Sequence, residues 1–287
     1  MKYPKVAIII STFNQEKLLE KCLKSLRKKT DYENYKVFLI DDSGKGDIGR
    51  NIRKKFGWVN VSINKKNLGF SKSNNIGIEK TLKNYNPYYI LLLNDDTEIV
   101  DRNWLKKMVE VGESDKKIGI LGCKVVYPDG NVQWVKNDTS SAIKEVYNVI
   151  GACFMIKRSV IEEIGLLDEK FSPVYGEESD FCFRALKKGF RLIYVGKTKI
   201  LHHGSVSTKT IFNEKIWFLK KKHGIRLEWL NFDFSKIIKY GFIHMGSAIL
   251  SDRPIKKSKA LIKAYLENIK DFKEIKMKRN ERHEWRN

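Results

Sequence analysis

Three short apolar runs constrain this chain more than anything else in it. Residues 6–10, 37–40 and 89–93 are uninterrupted and aliphatic-rich, and each stops at a polar cluster: STFN, DDSG and NDDTE. A strand without polar alternation has both faces covered, which is the habit of a parallel sheet. Between the runs lies a helical pattern, with Leu19, Cys22, Leu23 and Leu26 repeating at three- and four-residue spacing. Strand, helix, strand at this rhythm predicts a parallel sheet with right-handed crossovers. In such sheets ligands bind beyond the carboxyl ends of the strands, so three polar endings converging on one edge mark the expected site.

Further strands are expected at residues 59–63, 118–126 and 149–156, with two short ones in RLIYV and KTKILHHGS. Helices are expected at 75–82, 104–111 and 158–164, and one opens in YGEESDFCFRALKKGF. From about Thr208 the composition changes. Residues 209–287 carry 20 Lys/Arg against 9 Asp/Glu, half of the net charge of +22. The surface field is therefore strongly positive, which attracts nucleic acid, anionic lipid or phosphorylated small molecules alike. The four cysteines (Cys22, Cys123, Cys153, Cys182) show no CxxC spacing, which points to a reducing compartment rather than a zinc site or disulfides. The N-terminal apolar run is too short for a signal peptide, and no segment approaches a membrane span, so a cytoplasmic protein is the default expectation. No GxGxxG or GxxxxGK[ST] is present to support a dinucleotide or P-loop reading.

The ordered motifs VAIIISTFN, FLIDDSG, NLGFSKSNNIGI, LLLNDDTEIV, GACFMIKRSVIEEIGLLDEKF, YGEESDFCFRALKKGF and ILHHGS resemble an inverting family 2 glycosyltransferase. The resemblance covers about residues 5–207 and is nearest the rhamnosyltransferase-like subgroup of cell-surface polysaccharide synthesis. It implies an α/β fold of the GT-A type, a Rossmann-like, mostly parallel sheet flanked by helices, followed by a basic helical extension. The catalytic domain would span 1–207, with a nucleotide-sugar half to about 100 and an acceptor half from about 101; 208–287 would be the basic helical region.

The resemblance also implies roles for residues. Asp42 would take the nucleotide base in a pocket lined by Thr12, Phe13 and Asn14, and Asp95 would face the ribose. Gly69 would let the backbone approach the donor and Lys72 would reach a phosphate, with Asn67 and Asn75 from the same motif beside them. Asp96 matches the metal-binding aspartate, holding Mn²⁺ or Mg²⁺ against the diphosphate. Asn94 stands where the familiar pattern has another acid, as a ribose contact or a support for the metal ligand. Inversion needs a base on the face opposite the leaving group. Glu178 aligns with the family's basic carboxylate, and Glu177 or Asp180 remains an alternative. A helix N-terminus also favours acids with no catalytic role. His202 or His203 would reach the metal or diphosphate; adjacent residues on a strand face opposite ways, and the spacing to Ser207 favours His202.

The implied activity moves a hexosyl or deoxyhexosyl unit from a UDP- or dTDP-sugar to a saccharide or lipid-linked saccharide. A catalytically silent sugar-nucleotide binder is the first alternative. A nucleic-acid-binding protein is the second, although it gives the acidic clusters no role, and no nucleic acid is expected as partner. For the basic tail, the stripe Leu261, Tyr265, Ile269, Phe272 and Ile275 has three readings: a helix packed on the catalytic domain, peripheral contact with an anionic membrane, or a homo-oligomer face. The aromatic residues Phe212, Trp217, Phe218, Trp229, Phe232 and Phe234 favour a contact surface.

Overall fold

The computed structural model describes residues 3–133, 141–204 and 214–285; Ser207 and Phe212 lie outside them. Strand β1 (Val6–Thr12) pairs in parallel with β2 (Tyr35–Asp41) on one side and β4 (Tyr89–Leu93) on the other. Strand β3 (Val59–Ile63) continues the parallel order beyond β2. Past β4 the direction alternates: β8 (Cys153–Lys157) runs antiparallel to β4, and β6 (Ile118–Val126) antiparallel to β8. Strand β9 (Arg191–His202) is parallel to β6, and two short strands, β5 (Thr97–Ile99) and β7 (Ile143–Glu145), pair antiparallel with it.

Both faces of the sheet are covered, which is why its central strands lack polar alternation. On one face Val6, Ile8 and Ile10 of β1 join Leu19, Leu23 and Leu26 of α1 (Glu16–Lys28). Helices α2 (Asp47–Lys55) and α4 (Trp104–Glu113) complete that layer through Ile48, Ile52, Trp104 and Met108. Ile9 points to the opposite face, against Ile78 of α3 (Phe70–Asn84). There α5 (Arg158–Ile164) and α6 (Glu177–Lys187) add Val160, Ile161, Phe181 and Ala185. Each fully buried aliphatic side chain contributes about 1.5–3 kcal/mol, so this core dominates the fold's stability. All four cysteines are free and buried, behaving as small core residues.

Two strand expectations change. RLIYV and KTKILHH form one strand, β9, with Cys123 opposite Val195 and Lys124 opposite Lys199. The intervening residues bulge out, bridged by the Thr198 hydroxyl donating to the Val195 carbonyl at 3.2 Å. Residues 149–152 do not extend β8 but turn into it, and this turn becomes part of the candidate site below. Helix α2 and strands β5 and β7 have too few apolar residues to announce themselves in sequence.

The basic tail is helical: α7 (Glu214–Asn231), α8 (Phe234–Ile249), α9 (Pro254–Lys270) and α10 (Phe272–Glu284). Two buried ion networks hold α7 and α10 to the sheet-bearing body. In the first, fully buried Asp180 of α6 accepts from Arg184 Nε at 2.9 Å and from Arg282 Nη1 of α10 at 2.6 Å, with Asn231 at 3.3 Å. In the second, Arg226 of α7 donates to Asp168 at 2.7 Å and to Glu274 at 2.8 Å, while Lys278 lies 3.1 Å from Asp168. Trp285 reaches the α6 layer and carries Lys188 over its ring. Of the stripe noted in the tail, Leu261 and Ile275 are buried and Tyr265 is packed, so that part faces inward. Ile269 and Phe272 remain exposed. Among the described residues no helix is long and apolar enough to cross a membrane.

Removing one partner of a buried ion network leaves uncompensated charge behind. Asp180→Ala strands two guanidinium groups and is expected to lower unfolding free energy by about 3–5 kcal/mol, read from the urea midpoint.

Candidate functional site

The carboxyl ends of β1, β2 and β4 share one edge because the three strands are parallel and adjacent. At the end of β4 the chain makes a tight turn, Asn94 to Thr97, before entering β5. Thr97 closes it by donating its amide (3.3 Å) and hydroxyl (2.8 Å) to the Asn94 carbonyl. The Cys22 thiol of α1 lies beneath, 3.5 Å from the Thr97 hydroxyl. The turn therefore presents Asp95 and Asp96 on a rigid base.

The two carboxylates have different surroundings. Asp95 turns toward the end of β1, where its Oδ2 accepts from the Thr12 hydroxyl at 2.6 Å. Burial pushes its pKa up to about 7; the Thr12 hydrogen bond opposes the rise and the Asp96 charge adds to it. Asp96 turns toward the end of β9, where its Oδ1 is 3.1 Å from His202 Nε2. Asn94 Nδ2 is 3.3 Å from the same ring nitrogen. His203, facing the other way, meets Glu98 at 2.7 Å.

Gln133 completes this corner, and nothing in the sequence pointed to it. Its Nε2 donates to the His202 carbonyl at 2.8 Å, which fixes the amide's orientation. Its Oε1 then accepts from His202 Nδ1 at 2.7 Å. With the proton held on Nδ1, the Nε2 lone pair of a neutral ring is directed at the Asp96 side. A carboxylate and an imidazole nitrogen of this kind suit a divalent cation. Among the described residues no cluster of three or more His, Cys, Asp or Glu side chains could hold a metal. Two protein ligands would leave the remaining positions to phosphate oxygens and water, as Mg²⁺ and similar ions prefer when they act on nucleotides.

The second acidic group stands at the start of α6. Gly176, at φ 99°, and Tyr175, at φ 81°, turn the chain sharply into the helix. The Glu178 carboxylate lies against Gly151: a Cβ there would fall 1.7 Å from Oε1 and push the carboxylate out of this position. The next residue, Ala152, accepts the Asn94 amide through its carbonyl at 3.1 Å. Segment 150–153 thus touches Glu178 through Gly151 and the Asn94 end of the turn that carries Asp95 and Asp96 through Ala152. Glu177 is buried, and its Oε2 has no hydrogen-bond partner. Burial first, and the Glu178 charge second, hold its pKa well above the usual carboxylate range. Glu178 is raised as well, by burial.

Other residues drawn from the sequence do different work. Asp180 is enclosed by Arg184, Arg282 and Asn231, which leaves it no lone pair for an acceptor hydroxyl. Asp42 accepts from the Leu68 and Gly69 amides, each at 2.9 Å, and from Asn64 at 2.8 Å, so its carboxylate folds the 64–69 loop. Gly69 (φ 82°) makes room for Pro173, whose Cα would be 2.8 Å from an added Cβ. Asn75 clamps the Leu167 backbone through both ends of its amide, at 2.9 and 3.0 Å. Lys72 pairs with Glu169 at 3.1 Å on the surface. Phe13, Asn14 and Asn67 are exposed along the rim.

The model of "Glycosyl transferase family 2" matches residues 7–165, more than half of the chain. The chain belongs to that family. It is 25% identical over 242 residues to "O-antigen biosynthesis protein RfbC" of Myxococcus xanthus, covering 72% of this chain but 18% of that protein. It is 27% identical over 264 residues to an uncharacterized glycosyltransferase of Haemophilus influenzae, covering 79% and 78% of the two chains. Among solved structures, GalNAc-T7 with UDP, GalNAc and Mn²⁺ superposes with TM-score 0.66 at 18% identity, over 94% of this chain and 57% of that one. A Pyrobaculum calidifontis mannosyltransferase with GDP-Man and Mn²⁺ gives 0.59 at 14%, over 92% and 75%. The fold of this glycosyltransferase is accordingly GT-A.

The raised pKa of Glu177 makes the protein's stability depend on pH. Its protonated form is the one the fold favours, so stability is fully present below the ordinary carboxylate pKa. It is lost as pH rises through the folded value. Glu177→Gln is expected to melt about 2–4 °C higher than wild type near pH 8, with the gap closing near pH 5. Gln133→Leu, which frees the His202 ring, is expected to weaken Mn²⁺ binding by about 10–100-fold in calorimetric titration.

Proposed function

We propose that this family 2 glycosyltransferase transfers a hexosyl or deoxyhexosyl unit, with inversion, from a UDP- or dTDP-sugar to a saccharide or lipid-linked saccharide in surface-glycan synthesis. The observation that carries the reading is the pairing of Asp96 with His202 at the end of β4, on a turn that the Ala152 carbonyl holds through the Asn94 amide, while the neighbouring Gly151 lies against the Glu178 carboxylate.

On the first side, Thr12, Phe13 and Asn14 at the end of β1, with the loop that Asp42 folds, form the nucleoside side of the pocket. Asp95, oriented by Thr12, accepts the ribose hydroxyls. Asp96 and His202 would hold Mn²⁺ or Mg²⁺, which when bound offsets the negative charge growing on the departing diphosphate. On the second side, Glu178 takes the proton of the attacking acceptor hydroxyl. Its raised pKa strengthens it as a base near neutrality, and Gly151 lets its carboxylate lie close over the backbone. The acceptor oxygen attacks the anomeric carbon from the face opposite the diphosphate, so the configuration inverts. Glu177 is buried next to Glu178, and burial together with the Glu178 charge disfavours a second negative charge beside the base.

The relatives support the wider role. One, from Methanococcus voltae, 24% identical over 274 residues, is named as a dolichyl N-acetylglucosaminyl phosphate diacetamido-glucuronosyltransferase. Donor class and metal use are read together by thermal shift with UDP-, dTDP- and GDP-sugars, with and without Mn²⁺. Stabilisation by a UDP- or dTDP-sugar only with the cation is expected; stabilisation by none overturns the donor assignment. Glu178→Gln is expected to lower kcat by about 10²–10⁴-fold with nucleotide affinity unchanged. Asp96→Asn should lower transfer by at least about a hundredfold and remove the Mn²⁺ dependence of binding.

A further inference from the structure

The tail helix α8 carries an apolar face that is left largely exposed. Phe234, Ile238, Phe242, Met245 and Ile249 recur at three- and four-residue spacing and form one stripe. Phe234 is 73% exposed, Phe242 66% and Ile249 63%. Only His244 and Ala248 of α8 are buried; His244 lies 3.2 Å from Glu228 of α7 and 3.3 Å from the Tyr265 hydroxyl of α9. The neighbouring helix α9 adds a second stripe, Ile262, Leu266 and Ile269, each more than half exposed. Large aliphatic and aromatic side chains rarely line up in solvent on two adjacent helices without a partner.

Charge identifies the partner. Residues 234–285 contain 13 Lys/Arg against 6 Asp/Glu. Lys239 borders the α8 stripe and Lys259 the α9 stripe, both exposed. A second copy of the chain is a poor fit, because a two-fold interface sets the same net-positive patch against itself. An anionic lipid surface accepts both features at once: acyl chains take the apolar stripes and headgroups take the lysines. No described helix can span the bilayer, so the contact is interfacial.

We propose that the exposed faces of α8 and α9 dock this glycosyltransferase on an anionic membrane. The Arg226 and Arg282 networks fix α7 and α10 to the body, and α8 and α9 pack against α7. The lipid-facing surface is therefore held in a set position relative to α6 and its Glu178. The proposal does not rest on the transfer chemistry, since lipid binding is read without donor or acceptor.

The test is sedimentation of the full chain with vesicles of phosphatidylcholine alone or of phosphatidylcholine mixed with phosphatidylglycerol. Binding is expected to the mixed vesicles, at least about tenfold above the neutral ones, and to weaken as salt is added. Phe242→Asp with Ile249→Asp is expected to cut binding by about tenfold or more, with the melting curve unchanged because neither side chain is packed. Lys239→Glu with Lys259→Glu should remove the preference for anionic lipid and serves if the first variant fails to fold. Three results would overturn the proposal. One is a protein that stays in the supernatant with both vesicle types at low and physiological salt. Another is binding that neither variant alters. The third is a dimer in solution that Phe242→Asp with Ile249→Asp dissolves, in a protein that does not bind vesicles.

Discussion

The parallel pairing of β1 with both β2 and β4 is the constraint on which the rest of the molecule depends. Parallel strands need crossover helices, and those helices cover both faces of the sheet. Once both faces are covered, the strands must be apolar throughout, and polar chemistry is driven to their ends. Because the strands run the same way, those ends share one edge. The acids at the ends of β2 and β4 then enter a buried or partly buried setting, where each needs a partner or a raised pKa. Asp41 and Asp42 find backbone amides. Asp95 finds one hydroxyl, and burial pushes its pKa up.

The same accounting separates acids that hold the fold from acids available for chemistry. Four acidic or amide side chains at or near the expected site are fully engaged: Asp41, Asp42, Asn75 and Asp180. Their partners are loops or helices that must be fixed in place, and Asp180 joins the tail to the body. Asp96 and Glu178 are not engaged in this way. Asp96 has His202 beside it, and Glu178 lies over a glycine. In a low-dielectric setting an incompletely paired carboxylate is costly, and such groups concentrate where a ligand or a proton completes them. Gln133 shows how the site is oriented from behind, since one amide sets both the position and the tautomer of His202.

Much of this was legible in the chain. The buried runs, the leucine spacing of α1 and the motif order predicted the sheet, the edge at which its polar strand ends collect and the family, and the alternation of side chains along a strand separated His202 from His203. What was not legible shares a physical cause. Whether Asp42 or Asp180 faces a ligand depends on which distant groups arrive beside it: Leu68 and Gly69 from a loop, Arg282 from a helix a hundred residues on. Helix α2 and strand β7 are short, with too few apolar residues to signal themselves, and depend on their neighbours. In the tail, sequence periodicity found a stripe that mostly packs inward, while the exposed one lies on α8, whose apolar residues surround the helix.

By itself, then, the sequence determined the elements, their layering and the edge where chemistry collects, because those follow from local periodicity and from the rule that buried strands are apolar. Only the tertiary structure decided which carboxylates are spent and which are available. It also decided that Gly151 makes room for Glu178 and which face of the tail is left uncovered. These depend on contacts between residues far apart in the chain, and an acid reads the same in sequence whether an arginine or a substrate will stand opposite it.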